Sequence, residues 1–151
     1  MGALEHLLQL VARGLLNTAA LTALSLPPAL AGGVALGLAR AYSPPRVAKV
    51  LDAWSDALRG VPLLALLYAL VYGLPDLGLS VDTVLASAAA LALCSSAYVS
   101  EYVRTAVLSS ASGEVLAARS LGMSRLQEIR YVVLPRLLRT LAPAITNEAV
   151  Y

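Results

Sequence analysis

Cysteine and histidine are each present once in 151 residues, as Cys94 and His6. One cysteine rules out an internal disulfide framework, and no zinc-type spacing exists. Cys94 sits inside an apolar run and reads as a small buried hydrophobe. No nucleophile–base pair and no metal set accompanies His6, so no catalytic residue, metal ligand or cofactor is expected. Charge is scarce as well: 13% of residues are charged, against about 25% in a soluble domain. The net charge of +2 gives no argument for nucleic acid. A G-x-x-x-x-G-K-[ST] phosphate loop is also missing. Gly32 and Gly37 have the glycine spacing, but Leu38 follows them within an apolar stretch, so the chain has no visible means of gripping ATP.

What is abundant is apolar surface. Hydrophobic residues make up 59% of the chain and the mean hydropathy is +0.76, so lipid is expected to solvate much of it. About 20 apolar residues cross a bilayer as a helix. A first span is expected over about 15–40, where no charge occurs from Leu15 to Ala39. It contains Pro27-Pro28, which should kink it, and Gly33-x-x-x-Gly37, a spacing that lets another helix approach closely. A second is expected over about 55–75, beginning upstream of the uncharged run from Gly60 to Pro75. A third is expected over about 83–106. A fourth apolar stretch, about 137–151, is too short to cross and contains Glu148, so the spans are expected to be incomplete at this end. No cleavable signal is evident.

The charges are unevenly placed. Arg40, Arg46, Lys49 and Arg59 lie between the first two expected spans. Arg104, Arg119, Arg125, Arg130, Arg136 and Arg139 follow the third. The connection between the second and third holds Asp76 and Asp82 and no basic residue. If the spans alternate, ten of the eleven basic residues fall on one side, which the positive-inside rule makes cytoplasmic. The N-terminus is then expected outside.

Between the third and fourth spans, residues 109–135 read as two short helices joined by a tight turn. Ser112 can cap the first, with Glu114 at the positive end of its dipole. Gly122 fits the left-handed position that ends it. Ser124 and Gln127 form a capping box for the second, and Pro135 marks a break before the next span. Leu116, Ala117, Leu121 and Ala118 give the first short helix an apolar surface. It suits either packing on the chain's own membrane helices or docking in a partner's groove.

Ala117-Ala118-x-x-x-Gly122, then nine residues, then Val132-x-Leu134-Pro135, resembles the EAA loop of ABC importer permeases. Arg59-Gly60-Val61-Pro62-Leu63-Leu64 with Tyr72-Gly73-Leu74-Pro75 resembles the RGTPLL and YGLP signature of the polar amino-acid branch, which serves histidine, glutamine, glutamate and arginine. Ala97-Tyr98-Val99-Ser100-Glu101-Tyr102-Val103-Arg104 resembles its AYxAExxR stretch, and Pro143-Ala144-Ile145-Thr146-Asn147-Glu148 its PALGNE. The resemblance implies an all-α, multi-span type I importer permease, driven by a separate ATP-binding cassette subunit. It also implies a second permease subunit and an external solute-binding protein. In the family the loop seats in the ATPase. Leu116, Ala117, Ala118, Leu121, Gly122, Leu134 and Pro135 would carry that contact, with Leu116 standing where the family has glutamate.

Ionisable residues in or beside spans are candidates for the substrate path or a gate. Glu148, beside Asn147, is one. Glu101, sharing a helix face with Tyr98 and Arg104, is another, for which a Glu101–Arg104 ion pair is the competing assignment. The alternatives in function are a permease for another solute, such as methionine or glycine betaine, and a non-transporting helical scaffold or fragment.

Overall fold

The computed structural model describes residues 2–109, 113–139, 142 and 146, and among them every regular element is a helix. Helix α1 spans Gly2–Tyr42. It begins well before the expected residue 15, because Glu5, Gln9, Arg13 and the surrounding Leu and Ala are strong helix formers that water tolerates. The helix runs through Pro27-Pro28 without ending. At 1.5 Å per residue it is on the order of 60 Å long, about twice the hydrocarbon thickness.

Helix α2 (Pro45–Gly60) starts on a proline whose fixed φ suits the first helical position. It stops where Pro62 drives Val61 into extended backbone, at φ −83° and ψ 125°. Helix α3 (Leu63–Tyr68) starts afresh. The expected span over 55–75 is therefore two helical segments, Pro45–Gly60 and Leu63–Asp76, bent by 94°. The apolar part, 63–76, is only on the order of 20 Å long.

A π-turn over Ala69–Gly73 leads from α3 into α4 (Leu74–Asp76). A second π-turn, Ile129–Val133, follows α7 (Arg125–Glu128) and leads into helix over 134–139. Each is followed at once by Leu-Pro, Leu74-Pro75 and Leu134-Pro135. Proline has no N–H, and its ring clashes with the carbonyl four residues back. Widening the preceding turn relieves that clash, and Leu134 N–H bonds instead to the Ile129 carbonyl. Pro135 consequently does not break the helix as its type suggests; the helix swells and continues to residue 139.

Helix α5 (Thr83–Ser109) is capped by Asp82, whose carboxylate accepts from the Val84 and Leu85 amides at 2.9 and 3.1 Å. The core of the molecule is the packing of α1 on α5. Ser25, Ala29, Gly33, Gly37 and Arg40 form the buried stripe of α1. A Cβ added at Gly33 would lie 2.5 Å from Val99 Cβ, and one at Gly37 would lie 2.6 Å from Val103 Cβ. The small-residue stripe is thus a groove into which the Val99–Val103–Val107 ridge of α5 fits. Residue numbers rise together along this contact, so α1 and α5 run parallel. If both cross the bilayer, the chain between them must return, and 63–76 is its apolar stretch.

Helix α6 (Glu114–Ser120) and the segment after α7 close the same core: Val115, Val133 and Leu137 pack with Val99, Val103 and Val107. Cys94, expected buried, is half-buried beside a cavity of about 210 Å³ between α1, α3 and α5.

Candidate functional site

The C-terminal ends of α1 and α5 lie together and carry α2, α6 and α7. Two polar clusters hold this end of the molecule.

The first fixes the pair of short helices. α6 starts at Gly113 as N-cap; Ser112, the expected cap, lies outside the described residues. It ends in a Schellman motif: Met123 N–H bonds the Ala118 carbonyl at 3.1 Å and Gly122 N–H the Arg119 carbonyl at 2.9 Å, with Gly122 at φ +77°. α7 opens on a full capping box between Ser124 and Gln127. The next residue, Glu128, is 1% exposed. Its Oε1 accepts from the Tyr42 hydroxyl at 2.9 Å, and its Oε2 from Arg119 Nε at 2.9 Å. The guanidinium of Arg119 holds the Glu128 carboxyl below the usual carboxylate range; burial pushes it the other way, and the Tyr42 hydroxyl adds to the lowering. Arg125 donates to the Tyr42 carbonyl at 3.2 Å. Both short helices are therefore latched to the last residue of α1.

With this face fixed, the others are exposed. Val115 and Ala118 point inward, while Leu116 is 57% and Leu121 79% exposed. Ala117, Gly122 and Pro135 are exposed and Leu134 is half-buried. Ala117, Ala118, Leu121 and Pro135 border one open groove of about 560 Å³, which Tyr131 and Arg136 also line. Glu114 sits at its edge, paired with Arg136 at 3.0 Å. Of the residues expected to contact a partner, Ala118 alone is turned into the core, because it lies one turn from Val115 on the packed face.

The second cluster surrounds Arg40, buried near the end of α1. Its Nε donates to Asp52 at 2.7 Å, Nη1 to Ser100 at 2.9 Å and Ser55 at 3.2 Å, and Nη2 to Glu101 at 2.8 Å. Arg59 approaches Glu101 at 3.3 Å and Arg104 approaches Asp52 at 3.5 Å. Three basic and two acidic groups thus join α1, α2 and α5. A charged group at a membrane edge needs such partners. The Glu101–Arg104 contact is present but long, at 3.9 Å; Arg40 is the closer partner. Tyr98 lies on the exposed side of α5, 40% exposed. Asn147 and Glu148 lie outside the described residues. Arg40, Tyr42, Ser55, Ser100 and Glu128 were not singled out by sequence. Only their position near the ends of apolar runs could have flagged Arg40 and Tyr42.

Residues 30–151 match the protein family described as binding-protein-dependent transport system inner membrane component. The chain is 33% identical over 124 residues to a probable glutamine ABC transporter permease protein of Bacillus subtilis, GlnM, covering 80% of this chain and 57% of that one. It is 34% identical over 125 residues to the glutamine transport system permease protein GlnP of Escherichia coli K12, covering 79% and 57%. It thus spans little more than half the length of these curated relatives. Among solved structures, an amino acid ABC transporter crystallised with histidines superposes at a TM-score of 0.77 and 32% identity, over 95% of this chain and 70% of that one. An inward-facing methionine transporter, MetNI, superposes at 0.83 and 23% identity, over 97% and 71%, a likeness of fold.

Proposed function

Since the chain belongs to the family of inner-membrane components of binding-protein-dependent transport systems, we propose that it works as a permease subunit of an ATP-driven importer for a polar amino acid. The observation that carries this reading is the latched pair of short helices. α6 and α7 hang from the end of α1 with their packed face satisfied and Leu116, Ala117 and Leu121 left exposed. A rigid, apolar-tipped projection suits insertion into a groove on a separate ATP-binding subunit. Because Glu128 ties it to α1, a displacement of the projection is passed to the membrane helices, as a two-state coupling element requires.

In this reading the end carrying α2, α6 and α7 is cytoplasmic, as its basic residues favour, and the N-terminus is outside. A second permease subunit completes the path and a solute-binding protein delivers the substrate. Relatives described as glutamine and arginine permeases support an amino acid with a polar side chain. Glu148 and Asn147, with Tyr98 and Glu101 on α5, are the groups proposed for the substrate path or its gate; normal uptake by a Glu148→Gln variant would remove Glu148 from it.

The test is reconstitution of the full-length permease with an ATP-binding subunit and a binding protein. Uptake of labelled glutamine or arginine should require ATP and all three components. Gly122→Trp should abolish copurification of the ATPase, because the left-handed backbone at φ +77° strains any side chain there and the indole would stand out from the exposed face proposed to dock. Uptake without an ATPase, or an intact complex with Gly122→Trp, would overturn the reading. Uptake of methionine in place of polar amino acids would overturn the substrate class alone.

A further inference from the structure

α2 divides its surface into three faces. Successive residues are about 100° apart on a helix, so Ala48, Asp52, Ser55 and Arg59 share one side, and this side packs on α1 and α5 through the Arg40 network. Val47, Val50 and Trp54 share a second side and are 47%, 68% and 55% exposed. Lys49, Ala53 and Asp56 share a third, also exposed. Arg46 falls on the border between the apolar and the polar side. Among the described residues, neither Arg46 nor Lys49 makes an ion pair, whereas Asp56 is engaged by Arg59.

A helix with protein on one side, apolar residues on the second and charges on the third fits the boundary between protein, lipid and water. The chain leaves α2 by the 94° bend at Gly60–Pro62, directly into the apolar segment 63–76. A helix lying flat in the interface and a segment entering the bilayer would meet at about that angle. Trp favours the headgroup level, and Arg46 can extend its charge from the apolar border to a phosphate.

We propose that α2 is an interfacial helix whose Val47–Val50–Trp54 stripe rests in the lipid leaflet on the basic side of the molecule, with Arg46 and Lys49 attracting anionic headgroups. The occupant of the stripe is lipid, not a second protein. The charge left unpaired at its edge is complementary to an anionic leaflet, and the bend places the stripe at bilayer level. This rests on the membrane placement of the chain and is independent of what it transports.

Trp54 is the sole tryptophan of these 151 residues, so with any tryptophan outside them replaced by phenylalanine its fluorescence reports α2 alone. The full-length permease is reconstituted into nanodiscs with phospholipids brominated either near the glycerol end of the acyl chain or near the methyl end. Strong quenching by the first, largely lost with the second, is expected for a ring about 5–10 Å into the leaflet. Stronger quenching from the methyl end would make α2 part of a span and overturn the proposal. So would the absence of lipid quenching, whether aqueous iodide reaches Trp54 (water covers it) or does not (protein covers it). For the headgroup part, brominated phosphatidylglycerol should quench more than brominated phosphatidylcholine at equal mole fraction, and Arg46→Gln with Lys49→Gln should remove the excess. Equal quenching by the two lipids in the native protein would overturn that part.

Discussion

Glu128 is the residue on which the short helices depend, and its charge sets how they respond to pH. Its carboxyl is held below the usual range by Arg119. A depressed folded value means that the unfolded chain binds the proton more readily. The stability this group adds is therefore complete above the ordinary glutamate range of about 4.3 and is lost as pH falls through the depressed folded value. Hydrogen exchange of the α6 amides should show constant protection from about pH 5 to 8, after correction for intrinsic rates, and a fall below about pH 4. Glu128→Gln should lower protection above about pH 5 to the level that the native protein reaches in acid, and remove the acid transition. Solvent screens this charged hydrogen bond from the Arg119 side, because that side chain is 53% exposed. An acid transition that persists in Glu128→Gln would assign it to another carboxylate. Sequence could not show this contact. Tyr42 and Glu128 are 86 positions apart, and no period or local motif joins them. Gly122 was legible because a left-handed C-terminal turn is a local event that one residue type dominates.

At the scale of elements, local signals were readable and proline signals were not. Ser124 and Gln127 form the capping box that their spacing suggests. Gly33 and Gly37 are the close-packed stretch of α1, although the spacing alone did not name α5 as the partner. Pro62 and Pro135 look alike in sequence but act differently. Pro62 follows Gly60-Val61, where no helical bonds continue across the site, and the chain turns. Pro135 follows a run of β-branched and aromatic residues already packed through Val133, so the helix swells into a π-turn instead of ending. Packing decides between these outcomes, and packing is not local. The capping box gives a prediction at this scale. Ser124→Ala removes the acceptor for the Gln127 amide and frees the Gln127 side chain. It should destabilise α7 by about 1 kcal/mol, read as roughly fivefold faster exchange of its first-turn amides. The α1–α5 amides should not change, because Ser124 is exposed and has no bond to either helix.

For the whole molecule, the question is whether the two polar clusters act as one unit. Arg40 joins α1 to α2 and α5, and Tyr42, two residues on, joins α1 to α6 and α7. If the end of α1 is rigid, loosening either joint loosens the other. Arg40→Met keeps the apolar stem but leaves Asp52 and Glu101 to Arg59 and Arg104 alone, at 3.3 Å and longer. Asp52 and Glu101 are each 30% exposed and keep those partners, so the cost falls below the roughly 3–5 kcal/mol of leaving a buried charge unpaired. A double-mutant cycle of Arg40→Met with Glu128→Gln, measured by unfolding in detergent micelles, separates the possibilities. Independent joints add to within about 0.3–0.5 kcal/mol. A single unit should show a coupling clearly above that, with the double variant less destabilised than the sum, because the first change already frees the helix end that the second would free. Additive behaviour would mean that movement of the short helices dies out within the last turn of α1, and that any signal to the membrane helices travels instead through the Val115–Val133–Leu137 contact with α5.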